Sequence, residues 1–276
     1  MKFFDINTRR LIFFFKSAKN EFWDQHWFQT LDKFKNSIYK FNPKSIVCKI
    51  TPKFLFPDDG PILEGGCGLG QNILCLQKMK YDAIGIDYAK HIIEKVNRLV
   101  PSLKIKVGDI RYIQYPDNFF AGYWSFGVIE HYFEGYDEIL KEMKRVIKKG
   151  GYLFISFPYL SPFRNLKLKF NLYRVINSRF LEKRKLYNYF YQFALEKEEV
   201  IKVLNLNGFE LKHLEPLGGL KGFKDEVFFL KFFIKRFLQM MYDAERPKFI
   251  QIFKSFFDRF FSLFAAHTIL LIFQKI

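Results

Sequence analysis

From residue 61 onward, short apolar runs alternate with segments whose apolar positions recur at helical spacing. Residues 61–64 read as a short buried strand that enters the turn Gly65-Gly66-Cys67-Gly68-Leu69-Gly70. Residues 72–80 read as a helix, and Ala83-Ile84-Gly85-Ile86-Asp87 as a second strand with an acid at its carboxyl end. Over residues 89–99, Ile92, Ile93, Val96 and Leu99 share one helical face. Residues 103–107 make a third strand closed by Gly108-Asp109, and a loop through Pro116-Asp117-Asn118 leads to a fourth at residues 122–126. A helix over residues 136–148 is expected to stop at Gly150-Gly151, because glycine suits the residue after a helix end. A fifth strand, residues 152–157, stops at Pro158, a further helix covers residues 196–206, and residues 209–217 and 267–273 read as the last strands. Alternating units of this length predict a parallel sheet with right-handed crossovers.

In such sheets ligands bind beyond the carboxyl ends of the strands, where the strand order reverses. The residues that stand out chemically fall at those ends: Gly66 to Gly70, Asp87, Asp109, and Phe126 to His131. The glycine turn lets backbone pass close to a ligand, since no Cβ blocks the approach. It is not the dinucleotide fingerprint, whose last glycine would fall at Gln71, and no Lys-Ser or Lys-Thr follows to make a Walker A loop.

Four segments, Leu63-Glu64-Gly65-Gly66-Cys67-Gly68-Leu69-Gly70, Gly85-Ile86-Asp87-Tyr88, Gly108-Asp109-Ile110 and Gly127-Val128-Ile129-Glu130-His131, resemble the motif series of class I S-adenosylmethionine (SAM) dependent methyltransferases. Arg145 to Gly151 looks like the helix-to-strand junction that comes next in that family, and the likeness runs in order over residues 61–158, about a third of the chain. It is strongest to the small-molecule branch that includes quinone and sugar methyltransferases. The resemblance implies an α/β fold: a doubly wound, mostly parallel seven-stranded sheet of Rossmann-like methyltransferase type, with its last strand antiparallel, a helical cap insert and N-terminal helices. It implies SAM as cofactor and S-adenosylhomocysteine (SAH) as product. Glu64 would face the methionine ammonium, with Gly66, Cys67, Gly68 and Gly70 against the methionine end. Asp87 would accept from the ribose hydroxyls, Tyr88 would pack on the adenine, Asp109 would accept from the adenine amino group, and the Ile110 N–H would reach a ring nitrogen. The backbone at Phe126 would line the sulfonium side. One departure is Ala121-Gly122, where the family often has an acid at the start of the fourth strand.

The chain has 276 residues, enough for one methyltransferase domain divided into an N-terminal helical extension (1–55), a SAM-binding half (56–158), a basic aromatic cap insert (159–195) and a C-terminal half (196–276) with a Phe-rich helical insert at 225–264. The formal net charge of +17 points to an anionic partner, although Lys, Ile, Asn and 37 Phe also fit an AT-rich coding bias. Three cysteines, Cys48, Cys67 and Cys75, with no Cys-x-x-Cys pair, argue against a disulfide framework or a zinc site and for a reducing, cytoplasmic setting. Neither terminal apolar run reaches the roughly 18 residues of a membrane span, so the expectation is a cytoplasmic protein, with peripheral contact on the inner face of the membrane as an addition.

Methyl transfer requires the nucleophile to be held in line at about 3 Å, and a hydroxyl or amine acceptor must lose a proton. His131, after the fourth strand, is the candidate base; a role in shaping the loop is its structural alternative, and no metal site is indicated. The acceptor site is expected from Trp23, His26 and Trp27, which share a helix face that could equally pack on the core, and from Tyr159, Arg164 and Tyr191 in the basic insert. That insert carries Arg164, Lys167, Lys169, Arg174, Arg179, Lys183, Arg184 and Lys185 against Glu182 alone. The expected acceptor is a small molecule or a saccharide- or lipid-linked one, with oxygen favoured as the nucleophile and no specific nucleic acid as partner. The alternatives are an RNA-directed methyltransferase or nucleic-acid binding protein, against which no Asn/Asp-Pro-Pro-Tyr motif is found, and a catalytically silent SAM-binding scaffold.

Overall fold

A computed structural model describes the chain except residues 16, 17, 19, 35–38, 181–186 and 228–247. It opens with two strands, β1 (Lys2–Asp5) and β2 (Arg10–Phe14), then α1 (Asn20–Phe34) and α2 (Ile46–Ile50). The doubly wound part follows as β3 (Ile62–Gly65), α3 (Gln71–Lys78), β4 (Ala83–Asp87), α4 (Lys90–Leu99), β5 (Ile105–Val107), β6 (Phe120–Phe126), α5 (Asp137–Val146) and β7 (Ile147–Pro158). The remainder is α6 (Pro162–Lys169), β8 (Arg174–Ile176), β9 (Phe190–Ala194), α7 (Lys197–Leu206), β10 (Phe209–Leu217), α8 (Gly219–Glu226), α9 (Lys248–Ala265) and β11 (Thr268–Lys275).

The main sheet has seven strands in the order β10-β11-β7-β6-β3-β4-β5. Its middle pairs are parallel, and β11 runs antiparallel between β10 and β7. Side chains alternate between two buried layers, as the pleat requires. Tyr123, Leu153, Ile155 and Leu271 face α5 and α7, whereas Trp124, Phe154 and Ile272 face the side covered by α3 and α4. Trp124 stacks on Phe154 with centroids 4.4 Å apart and donates Nε1–H to Thr51 Oγ1 at 3.2 Å. The departure at Gly122 has a packing reason, since a Cβ there would fall 2.5 Å from Leu55 Cδ1.

Three expectations change. The N-terminal extension is not helical throughout, because β1 and β2 form a hairpin that joins a second sheet in the order β8-β1-β2-β9. The cap insert is correspondingly mixed, with α6 followed by β8 and β9. Asp5 fastens the two segments, accepting from the Thr8 hydroxyl at 2.7 Å and from the Ser178 hydroxyl at 2.6 Å. Gly150-Gly151 does not end a helix. The helix stops at Val146, and the pair lies inside β7 where the register with β6 slips between Phe120 and Gly122. Lys183, Arg184, Lys185 and Glu182 of the expected basic insert, and the middle of the Phe-rich segment, lie outside the described residues. Among the described residues no helix is long and apolar enough to cross a membrane.

Candidate active site

A cavity of about 450 Å³ runs along one end of the sheet, from Asp87 on β4 past Glu64 on β3 and Phe126 on β6 to Ser156 on β7 and Thr268 on β11. Of the residues expected to hold the cofactor, Glu64, Gly66, Cys67, Asp87, Tyr88 and Phe126 line it. Gly68 and Gly70 shape the turn behind them. Gly66 and Gly68 have φ of +76° and +50°, a region that residues with a Cβ rarely enter. A Cβ on Gly66 would fall 2.6 Å from Val128, and one on Gly68 would fall 2.7 Å from the Trp27 ring.

Asp87 is 5% exposed and its carboxylate is already organised. Oδ2 accepts from the Gly68 N–H at 2.8 Å and Oδ1 from the Ala89 N–H at 2.9 Å. Burial raises its pKa, and those two donors oppose the rise. Glu64 is 2% exposed; Asn72 Nδ2 donates to Oε1 at 2.7 Å, while Oε2 has no partner. Burial pushes its carboxyl up to about 8, and the nearby Asp87 charge adds to the rise. A buried, half-satisfied carboxyl beside a glycine turn fits a cationic amine, which would supply the missing donor and restore the charged form.

His131 lies where this cavity meets a neighbouring one of about 470 Å³. Its Nδ1 is 2.7 Å from the Tyr191 carbonyl oxygen, which only accepts, so Nδ1 carries the proton and Nε2 the lone pair. Burial holds its pKa down to about 4, so the ring is neutral. The Tyr191 carbonyl is free for this role because the β2–β9 register slips between Phe13 and Phe14, leaving Tyr191 at a bulge. Trp23 packs edge-on against His131 at 4.8 Å and stacks with Trp27 at 6.0 Å, so α1 roofs the cavity. Asp24, between them in sequence, accepts from the Ile92 N–H at 3.1 Å and ties α1 to α4.

The remaining expected residues are distributed differently. Asp109 lines the neighbouring cavity, where Arg111 Nη2 meets its Oδ2 at 2.6 Å; burial raises its carboxyl, but the side-chain bond, the Arg111 N–H and the guanidinium charge together hold it below the usual range. Ile110 is 3% exposed within the core. His26 faces a separate recess beside Phe15 and Gln29. Tyr159 is core, with its carbonyl accepting from Arg164 at 2.7 Å. Arg164 does not reach the cavity: it is fully buried and bonded to Glu226 Oε1 at 2.9 Å. Trp23, Trp27 and Tyr191 do line it. So do Gln192, Lys221 and His267, which the sequence does not mark as site residues. No local sequence signal marks Lys221; its position follows from the close packing of α8 on α9. Gly219 packs so closely on Asp258, Phe261 and Ser262 of α9 that a Cβ would not fit. Among the described residues no cluster of His, Cys, Asp and Glu could hold a metal ion.

Residues 63–155 match the methyltransferase domain family. A protein of Mycolicibacterium smegmatis named a probable S-adenosylmethionine-dependent methyltransferase is 26% identical over 58% of this chain, and the matched part spans 55% of that protein, about half its length. A SAM dependent methyltransferase from Archaeoglobus fulgidus superposes with a TM-score of 0.54 at 16% identity, covering 91% of this chain and 100% of that one. An N-methyltransferase of Haemonchus contortus, solved with phosphomonomethylethanolamine and SAH, superposes with a TM-score of 0.55 at 15% identity, covering 91% of this chain and 57% of that one. The two structural likenesses establish the fold.

Proposed function

We propose that this chain, which carries a class I SAM-dependent methyltransferase domain, transfers the methyl group of SAM to a polar small-molecule or saccharide- or lipid-linked acceptor, with an oxygen as nucleophile. One observation carries the reading. A single cavity joins the acids suited to the cofactor, Glu64 and Asp87, to a histidine held neutral with a free lone pair, His131. The residues present fit the cofactor: Glu64 offers an unpaired oxygen to its ammonium, Asp87 is fixed by two backbone donors for its ribose, and the glycine turn gives access.

Bound SAM supplies an electrophilic methyl carbon, so the protein's part is positioning and proton removal. Trp23 and Trp27 cover the cavity and exclude water. A hydroxyl becomes strongly acidic as its oxygen bonds to carbon, so neutral His131 is a sufficient proton acceptor through Nε2. The Tyr191 carbonyl holds the ring in that tautomer. Three free, buried cysteines support a cytoplasmic setting. Phe256, Phe260 and Leu263, exposed on one face of α9, support peripheral membrane contact.

The test is transfer of labelled methyl from SAM to a panel of hydroxyl and amine acceptors by the wild type and His131→Asn. Loss of a proton acceptor should lower kcat by about 10²–10⁴-fold while SAH affinity holds. Equal turnover by both proteins would refute the role of His131, and label appearing only on amines would refute oxygen as nucleophile.

A further inference from the structure

The cavity has two chemically distinct ends, and the reading above uses the end nearer β4 together with His131. At the far end, β11 lies four strand spacings from β4, about 19 Å away. There Glu130, Ser156 and Lys221 line the wall without an assigned task. Glu130 is 2% exposed and Ser156 0% exposed, and neither Glu130 Oε2 nor Ser156 Oγ has a hydrogen-bond partner. Buried polar groups are nearly always paired, so two orphans on one cavity wall point to a missing ligand. Lys221 stands at the rim on α8 and has no hydrogen bond or ion pair among the described residues. The Asp225 charge favours the Lys221 ammonium without forming an ion pair with it: the Asp225 carboxylate bonds to His267 at 3.2 Å, and Glu226 is held by Arg164 at 2.9 Å. Lys221 is close enough for its charge to favour the Glu130 carboxylate, yet the two form no ion pair. A ligand between them would complete both.

An unsolvated carboxylate needs a donor, and a cationic donor restores its charge as well. An ammonium at the rim, with no ion pair among the described residues, is placed to meet an anionic group of a ligand. We propose that Glu130, Ser156 and Lys221 form the acceptor subsite, and that it takes a small hydroxylated molecule bearing both an amine and an acidic group, carboxylate or phosphate. The amine meets Glu130 and Ser156, and the acidic group meets Lys221. This assignment rests on the methyltransferase reading and narrows its acceptor class.

The experiment is calorimetric titration of SAH-saturated protein with four probes: serine, phosphoethanolamine, ethanolamine and lactate. Phosphoethanolamine carries the amine and the acid without the hydroxyl and so tests the charge pattern alone. The expected result is that serine or phosphoethanolamine binds at least about tenfold more tightly than ethanolamine, which lacks the acid, and lactate, which lacks the amine. The preferred zwitterion then identifies the acidic group as carboxylate or phosphate. Lys221→Ala and Glu130→Gln should each weaken that probe about tenfold or more while SAH affinity stays within about twofold. The subsite is overturned if the zwitterions bind no better than ethanolamine and lactate, or if Lys221→Ala leaves their binding unchanged. Failure of SAH itself to bind the wild type would be a separate result, striking the cofactor reading beneath it.

Discussion

Glu64 is a carboxyl whose ordinary ionisation has been reversed by burial. Its pKa stands at about 8 in the folded protein against 4.5 in an exposed chain, so the native state keeps a proton that the unfolded state releases. Stability from this group is full below about pH 4.5 and is lost as pH rises through about 8, opposite to the usual carboxylate. Glu130, also pushed up to about 8 by burial, has the same sign. Ligand-free protein should therefore melt at lower temperature as pH rises from 5 to 8, and Glu64→Gln should shrink that decline. A Tm that rises over the same window would contradict the protonated carboxyl. Because the cofactor's ammonium favours the ionised form, binding should release protons near pH 7. Titration of SAH in buffers of different ionisation enthalpy reads that release directly.

At the scale of elements, α1 and the glycine turn act as one unit. Trp27 lies over Gly68, Trp23 bears on His131, and Asp24 caps α4, so the roof of the cavity is set by a helix outside the doubly wound core. Trp27→Ala should leave the fold intact and weaken SAH binding about tenfold, through lost cover and lost packing area. Gly68→Ala should do at least as much harm, since a Cβ there meets the Trp27 ring at 2.7 Å and φ is +50°. Unchanged affinity in both variants would show that α1 is packing alone. The doubly wound strands and their terminal acids were legible in the sequence because buried parallel strands appear as short apolar runs and the chemistry collects at their ends. The second sheet was not. Its pairings, such as Phe4 with Val175 and Ile12 with Phe193, join segments too far apart in sequence for local periodicity to reveal. The bulge that frees the Tyr191 carbonyl was hidden for the same reason, as was the placement of Lys221 and Gln192 on the cavity wall. The sequence shows Asp109 and Arg164 as charged residues but not that each already has a partner.

For the molecule as a whole, Glu226 joins parts distant in sequence. Its carboxylate receives Lys2 at 2.6 Å, Arg164 at 2.9 Å, Lys167 at 2.8 Å and the Tyr173 hydroxyl at 2.6 Å. The hairpin, α6 and α8 are thereby fastened at one buried point. Burial alone would raise its pKa, but Lys2 and Arg164 pull it down to about 2. Its stabilisation is accordingly present above about pH 4.5 and lost as pH falls towards 2. Glu226→Gln leaves the fully buried Arg164 uncompensated and should cost about 3–5 kcal/mol, or roughly 6–20 °C in Tm. A variant that melts within about 2 °C of the wild type would contradict this role, since for a chain of this size that is less than about 1 kcal/mol.

The central claim is that the end of the sheet around β3 and β4 holds SAM. Calorimetric titration of SAH into the wild type and Asp87→Ala, with thermal unfolding to verify both folds, tests it most directly. The account predicts micromolar binding by the wild type and a loss of about 100-fold or more in the variant, because the best-organised acceptor in the cavity is removed. A folded wild type that does not bind SAH, or a variant that binds equally well, would contradict it.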